Sequence, residues 1–195
     1  MSRAKMLGGI GSILTLLLLV PYFAGAALVI IGWILIIWAV KDISDTVQDK
    51  SIFNNALISA VMAIIGAVVF AAVVAATILG FIGLGGLSST GTPPAASDLA
   101  GLFAAAALGL FIVWILAIIG SIFLRRSFKT IGTRLNVGLF GTAALVYLIG
   151  SILLIIGFGI FLIFIAQILF VVAFFSIPDN PPAGPMPQPQ PMRPA

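Results

Sequence analysis

Gln167 and Tyr147 are the side chains through which this sequence could set a polar group inside otherwise apolar segments. A carboxamide and a phenol in such a setting could mark a point on a permeation path. The plainer role is an interhelical hydrogen bond, worth about 0.6–2 kcal/mol, and that role is the expectation. Asp42, Asp45 and Asp49 invite a second reading, as oxygen ligands for a cation. Calcium loops need more donors at tighter spacing and a glycine for the turn, and Lys41 and Lys50 flank these aspartates. The expectation is a short juxtamembrane helix with Ile43 and Val47 toward the bilayer.

Arg125, Arg126, Lys129 and Arg134 form the densest basic cluster. Close to phospholipid headgroups, each such charge attracts anionic lipid by about 1 kcal/mol. Nucleic acid would ask for a wider basic surface with interleaved aromatics, so no nucleic-acid partner is expected. Cysteine and histidine are both absent. Disulfides, thiolate and imidazole metal sites, axial histidine to haem and imidazole acid–base catalysis are therefore excluded. No metal site and no cofactor are expected.

The elements that must carry these residues are apolar to an unusual degree. Hydrophobic residues make up 62% of the 195-residue chain and charged residues 7%, with a mean hydropathy of +1.32. A water-soluble fold would lack the polar side chains to cover itself. Charges divide the chain into apolar stretches at 6–40, 56–84, 99–124 and 137–177, each long enough to span a bilayer. A helix over 6–40 would be about 52 Å long, beyond a hydrocarbon core of about 30 Å, so the first and last stretches must turn back. Pro21 with Gly25 marks one turn and Gly157-Phe158-Gly159 the other. The fold expected is an all-α polytopic bundle with spans near 6–22, 25–40, 56–84, 99–124, 138–156 and 159–177. The alternative is four spans with re-entrant hairpins at the two ends. Between the spans, Arg125–Asn136 reads as a basic linker.

Sidedness follows from the nine basic residues, Arg3, Lys5, Lys41, Lys50, Arg125, Arg126, Lys129, Arg134 and Arg193. Six spans put all of them on the face of the N-terminus, and leave Asp98 as the sole charge opposite. This is the positive-inside pattern. Both termini are expected in the cytoplasm and the loop 85–98 outside the cell membrane. Arg3, Lys5 and Ala24-Gly25-Ala26 have the look of a signal peptide, but the apolar run resumes through Val40, so the segment is expected to be retained. Residues 178–195, rich in Pro and Gln, are expected to be a disordered cytoplasmic tail.

Two ladders of small residues, Ala63, Ala67, Ala71, Ala75 and Gly101, Ala105, Gly109, would let helix backbones approach closely. They are expected to face each other, or else a partner subunit. At an offset of 84, Lys41, Thr46, Lys50 and Gly66 match Arg125, Thr130, Arg134 and Gly150, which hints at duplication that shared composition explains equally well.

Three segments occur in a telling order: Lys5-Met6-Leu7-Gly8-Gly9-Ile10-Gly11-Ser12-Ile13, then Lys41-Asp42-Ile43-Ser44-Asp45 leading to Ser51-Ile52-Phe53-Asn54-Asn55, then Ala173-Phe174-Phe175-Ser176-Ile177-Pro178. Over about residues 3–178 the chain resembles the largely archaeal integral membrane family known as domain-of-unknown-function family 996. The resemblance implies a multi-pass membrane protein and carries over no catalytic residue. No Asp, Glu, Lys, Arg or His side chain lies in an expected span, which argues against ion-coupled transport and leaves an enzyme without an obvious acid or base. The expectation is a non-catalytic structural or accessory membrane component, in contact with the lipid bilayer and with a membrane-protein partner or its own copies. A channel or carrier for a neutral or lipophilic solute is the alternative.

Overall fold

A computed structural model of the chain describes residues 1–17, 23–85 and 95–179, with the backbone alone for 23–27. The turn expected at Pro21, most of the loop 85–98 and the tail beyond Asp179 lie outside the described residues. Six α-helices follow one another: α1 Ser2–Leu16, α2 Phe23–Thr46, α3 Lys50–Gly83, α4 Ala96–Leu135, α5 Leu139–Leu153 with a 3-10 turn at Leu154–Ile156, and α6 Gly159–Phe175. No strand occurs among the described residues. Among the described residues, three segments, Lys50–Gly83, Ala96–Leu135 and Leu139–Ile156, are long and apolar enough to cross a membrane, and Gly159–Phe175 is a shorter apolar helix.

Each helix packs on its neighbours in the chain, and α6 closes back on α1, so the six form a ring. The core of this ring sits at the end that carries most of the charges. Ile43, Ile52, Phe128, Ile131, Phe140 and Phe174 are all buried there. Phe128 gathers three aromatic neighbours, with ring centroids 5.7 Å from Phe140, 4.8 Å from Phe170 and 6.0 Å from Phe174. Toward the other end the helices turn large apolar side chains outward, among them Val68, Leu79, Phe103 and Leu108, each more than 60% exposed.

Two expectations change here. The basic linker Arg125–Asn136 is helical, because α4 runs unbroken for 40 residues to Leu135. Ser127, Phe128, Ile131 and Leu135 are buried on its inner face, so packing sustains the helix past the end of the apolar run. Asn136, with φ 55°, then ends it in the left-handed conformation that asparagine tolerates. The juxtamembrane helix at Lys41–Thr46 is likewise the continuation of α2, and Ile43 is fully buried in the protein core rather than turned to the bilayer.

The long pair α3–α4 packs along a seven-residue repeat. A Cβ on Gly66 would lie 3.9 Å from Leu116, one on Gly80 2.6 Å from Leu102, and one on Gly109 would collide with Val73. Gly66, Val73 and Gly80 on α3 thus meet Leu116, Gly109 and Leu102 on α4 in antiparallel order. A repeat of seven residues keeps nearly the same face toward the partner, drifting only about 20° per heptad, which gentle left-handed coiling absorbs. The hairpins on either side close more tightly still. Gly11 and Gly32 bring α1 and α2 together, while a Cβ on Gly159 would collide with the Gly150 carbonyl of α5. Gly157, at φ 79°, makes the turn between α5 and α6 at the place its glycines suggest.

Candidate functional site

At the charged end Asp42, Asp49 and Asp179 are tied to separate partners. Asp49 caps α3, accepting from the Ser51 amide at 3.1 Å and its hydroxyl at 2.6 Å, and pairs with Arg134 of α4 at 3.0 Å. These hydrogen bonds, with Ser51 first and Arg134 second, hold its carboxyl below the usual aspartate value. Asp42 faces Arg3 at 3.7 Å, and Asp179 faces Lys5 at 3.8 Å. Asp42, Asp45 and Asp49 therefore do not converge as a ligand set. Of the basic cluster, Arg134 pairs with Asp49, Arg126 lies over the Phe123 ring at 5.5 Å, and Lys129 is exposed. Arg125 is partly buried on the same stretch of α4.

The two polar points separate. Gln167 of α6 accepts a hydrogen bond from Thr15 of α1 at 3.0 Å, and the same hydroxyl lies 2.7 Å from the Ser12 carbonyl oxygen. Ser12 is buried beside them, its hydroxyl without a partner among the described residues. Tyr147 instead packs by Phe170 and helps to line a chamber of about 290 Å³ between α2, α3, α4 and α5. That chamber is walled chiefly by apolar side chains, with Trp33, Ser59, Ser121 and Tyr147 supplying polar atoms. Ser121 already donates to the Ile118 carbonyl at 2.8 Å.

Beside the chamber, on the outer side of the α2–α3 seam, an apolar groove of about 520 Å³ runs past Ile30, Ile34, Trp38, Ala60 and Ile64. Trp33, Ala63 and Ala67 line both spaces, so groove and chamber adjoin. A third space, about 580 Å³, lies where Leu154 and Ile155 at the tip of α5 meet Ala107, Leu110 and Phe111 of α4. Next to it, the Trp114 indole donates to the carbonyls of Ser151 and Ile152 at 3.0 and 3.2 Å, satisfying oxygens near the end of α5.

The small-residue ladders do not face each other. Ala63, Ala67, Ala71 and Ala75 are all exposed, as are Gly101 and Ala105, and only Gly109 lies on the α3–α4 seam. The reason is rotational. A step of four residues advances about 40° beyond a full turn, so the three steps from Ala63 to Ala75 wind through about 120° and leave any single face. Sequence reasoning also missed Thr15 as the partner of Gln167, and Trp33 and Ser59 in the chamber wall. The Thr15–Gln167 pair is 152 positions apart, and no local pattern announces it.

Among the described residues, a ring of helices with lateral apolar grooves, three of the helices long and apolar enough to cross a membrane, defines the class of this protein. Within that class, the chain belongs to the family described as "Protein of unknown function (DUF996)", which matches residues 28–168. It is 35% identical over 182 residues to Uncharacterized protein MJ1644 of Methanocaldococcus jannaschii, a match covering 92% of this chain and 94% of that one. No solved structure matches the chain.

Proposed function

We propose that this chain is a multi-pass protein of the cell membrane with six crossings and both termini in the cytoplasm, acting as a non-catalytic structural or accessory component. Depth supports the crossings. From Arg125 outward to Ala107 α4 rises about 27 Å, close to the roughly 30 Å of a hydrocarbon core. Leu154 and Ile155, at the tip of α5, lie beside Ala107 and Leu110, so the α5–α6 hairpin reaches the same depth. The observation that carries the accessory role is the lateral groove. A bundle closed by glycine contacts presents an apolar slot of about 520 Å³ to its surroundings.

The chain has no native cysteine, so single cysteines report topology directly. Cysteine at Ser89 should react with an impermeant maleimide from outside, and cysteine at Thr133, which is exposed at the basic end, should not. Labelling of Thr133 from outside refutes the arrangement. Ser44 is a poor reporter, since it is 3% exposed and its hydroxyl donates to the Asp49 carbonyl at 2.8 Å.

A second reading, a carrier for a neutral or lipophilic solute, draws on the chamber lined by Trp33, Ser59 and Tyr147 that adjoins the groove. An apolar space with a few convergent polar groups is the usual form of a small-molecule site. Reconstituted vesicles decide between the two. Swelling in glycerol no faster than in protein-free vesicles, together with no movement of a lipophilic dye between leaflets, supports the accessory role. Flux that Tyr147→Phe or Ala67→Leu diminishes establishes the carrier.

A further inference from the structure

The α2–α3 seam is the most open of the ring, and its groove ends in charge. Ile30, Ile34, Trp38 and Lys41 follow one another along a single face of α2 at helical spacing. The first three line the groove, and Lys41 comes one turn beyond Trp38 at its basic end. On α3, Lys50, Phe53, Leu57, Ala60 and Ile64 repeat at alternating steps of three and four, so a second lysine starts the helix face whose Ala60 and Ile64 line the groove. The acids that could neutralise these lysines are mostly engaged elsewhere, Asp42 with Arg3 and Asp49 with Arg134. Asp45, one turn past Lys41, is the acid that remains. Neither Lys41 nor Lys50 has an ion pair among the described residues. Trp38 is 55% exposed just above Lys41, the position where an indole suits a membrane interface.

From this arrangement we infer that the α2–α3 groove binds one molecule of an anionic membrane lipid, its hydrocarbon chain in the apolar slot and its phosphate on Lys41, with Lys50 as a second, more distant charge. A lysine is a compact point charge well matched to phosphate. Charge also disfavours a second copy of the chain as the occupant. Two copies held in the same orientation by the bilayer would bring Lys41 toward Lys41 and Lys50 toward Lys50 at equal depth. The inference rests on the membrane placement, and on neither the accessory nor the carrier role.

Brominated phospholipids test it through tryptophan quenching. The chain has three tryptophans, and Trp114→Phe leaves Trp33 and Trp38, both on the groove wall. In phosphatidylcholine vesicles, brominated phosphatidylglycerol should quench this variant at about one-fifth of the mole fraction that brominated phosphatidylcholine needs, the effect of one interfacial lysine on an anionic lipid. Lys41→Gln should abolish the preference and Lys41→Arg should keep it. Ala63→Leu with Ala67→Leu, which fills the slot, should reduce quenching by both lipids. Arg126→Gln with Lys129→Gln, distant on α4, should leave the preference intact. Helical circular dichroism confirms that each variant is folded. Equal quenching by the two lipids overturns the proposal, as does a preference that follows Arg126 and Lys129 instead of Lys41. Protection from both lipids in a protein that crosslinks as a dimer through α2 assigns the groove to a second copy and overturns it too. Failure of the membrane placement would look different, since carbonate would then extract the protein from the vesicles.

Discussion

Gly11 of α1 and Gly32 of α2 meet backbone to backbone: a Cβ on Gly11 would lie 2.7 Å from the Gly32 carbonyl oxygen, and one on Gly32 2.6 Å from that of Gly11. The contact is reciprocal, and both obstacles are main chain, which cannot rotate aside. Gly32→Ala should therefore push the helices apart and cost about 1–3 kcal/mol, the range for overpacking. Gly141→Ala is the control, since nothing lies within 4 Å of the added methyl and alanine favours helix over glycine. Thermal unfolding in detergent should fall by several degrees for the first and stay level or rise for the second.

The α3–α4 seam makes a contrasting pair of substitutions. Gly109→Leu drives a branched side chain into Val73 and should lower the unfolding temperature markedly. Ala71→Leu lies on an exposed face and should leave it nearly unchanged. A large loss from Ala71→Leu in a protein that is also oligomeric would mean that the alanine row faces a partner subunit.

Thr15 and Gln167 join α1 to α6 across the closure of the ring. A double-mutant cycle with Thr15→Val and Gln167→Leu should return a coupling of about 0.6 kcal/mol, the average for such bonds between membrane helices, and no more than about 1.7 kcal/mol. Additive losses would mean that the bond contributes nothing to closing the ring.

Asp49 carries a pH dependence whose sign follows from its partners. Its folded pKa lies below the ordinary aspartate value of 3.8 because Ser51 and Arg134 stabilise the carboxylate. The ionised form then stabilises the fold fully above that value, and the contribution fades as pH falls through the lower folded pKa. Asp49→Ala should cost about 1 kcal/mol at neutral pH, as loss of a helix cap does. Its deficit against the native chain should shrink below pH 3.8. Because the pair with Arg134 is exposed, added salt should also narrow the gap.

Much of this architecture was legible before any coordinates. The nine basic residues cluster at a few points of the chain, and long intervals between them are apolar, so an all-helical fold built on apolar segments could be read from composition alone. The turn at Gly157 could be read too, because a helix can span only a limited thickness and glycine permits the reversal. Hydropathy misjudged where α4 stops. It registers the end of the apolar run at Arg125, while the buried Phe128, Ile131 and Leu135 carry the helix on to Asn136.

The amino-acid order by itself determined which segments avoid water, how the charges are sorted, and the family to which the chain belongs. These are properties of consecutive residues, and the helix turns them into structure without reference to the rest of the chain. Tertiary structure alone decided that Gly66, Val73 and Gly80 face α4 while Ala63 and Ala67 line a groove beside α2, that Thr15 meets Gln167, and that Lys41 stands at an open seam while Asp42 and Asp49 pair with arginines. Each of these depends on how far a helix is rotated about its axis and which neighbour it meets. In so uniformly apolar a chain, hydrophobicity hardly distinguishes one rotation from another. Side-chain shape and backbone approach at a few glycines make that choice.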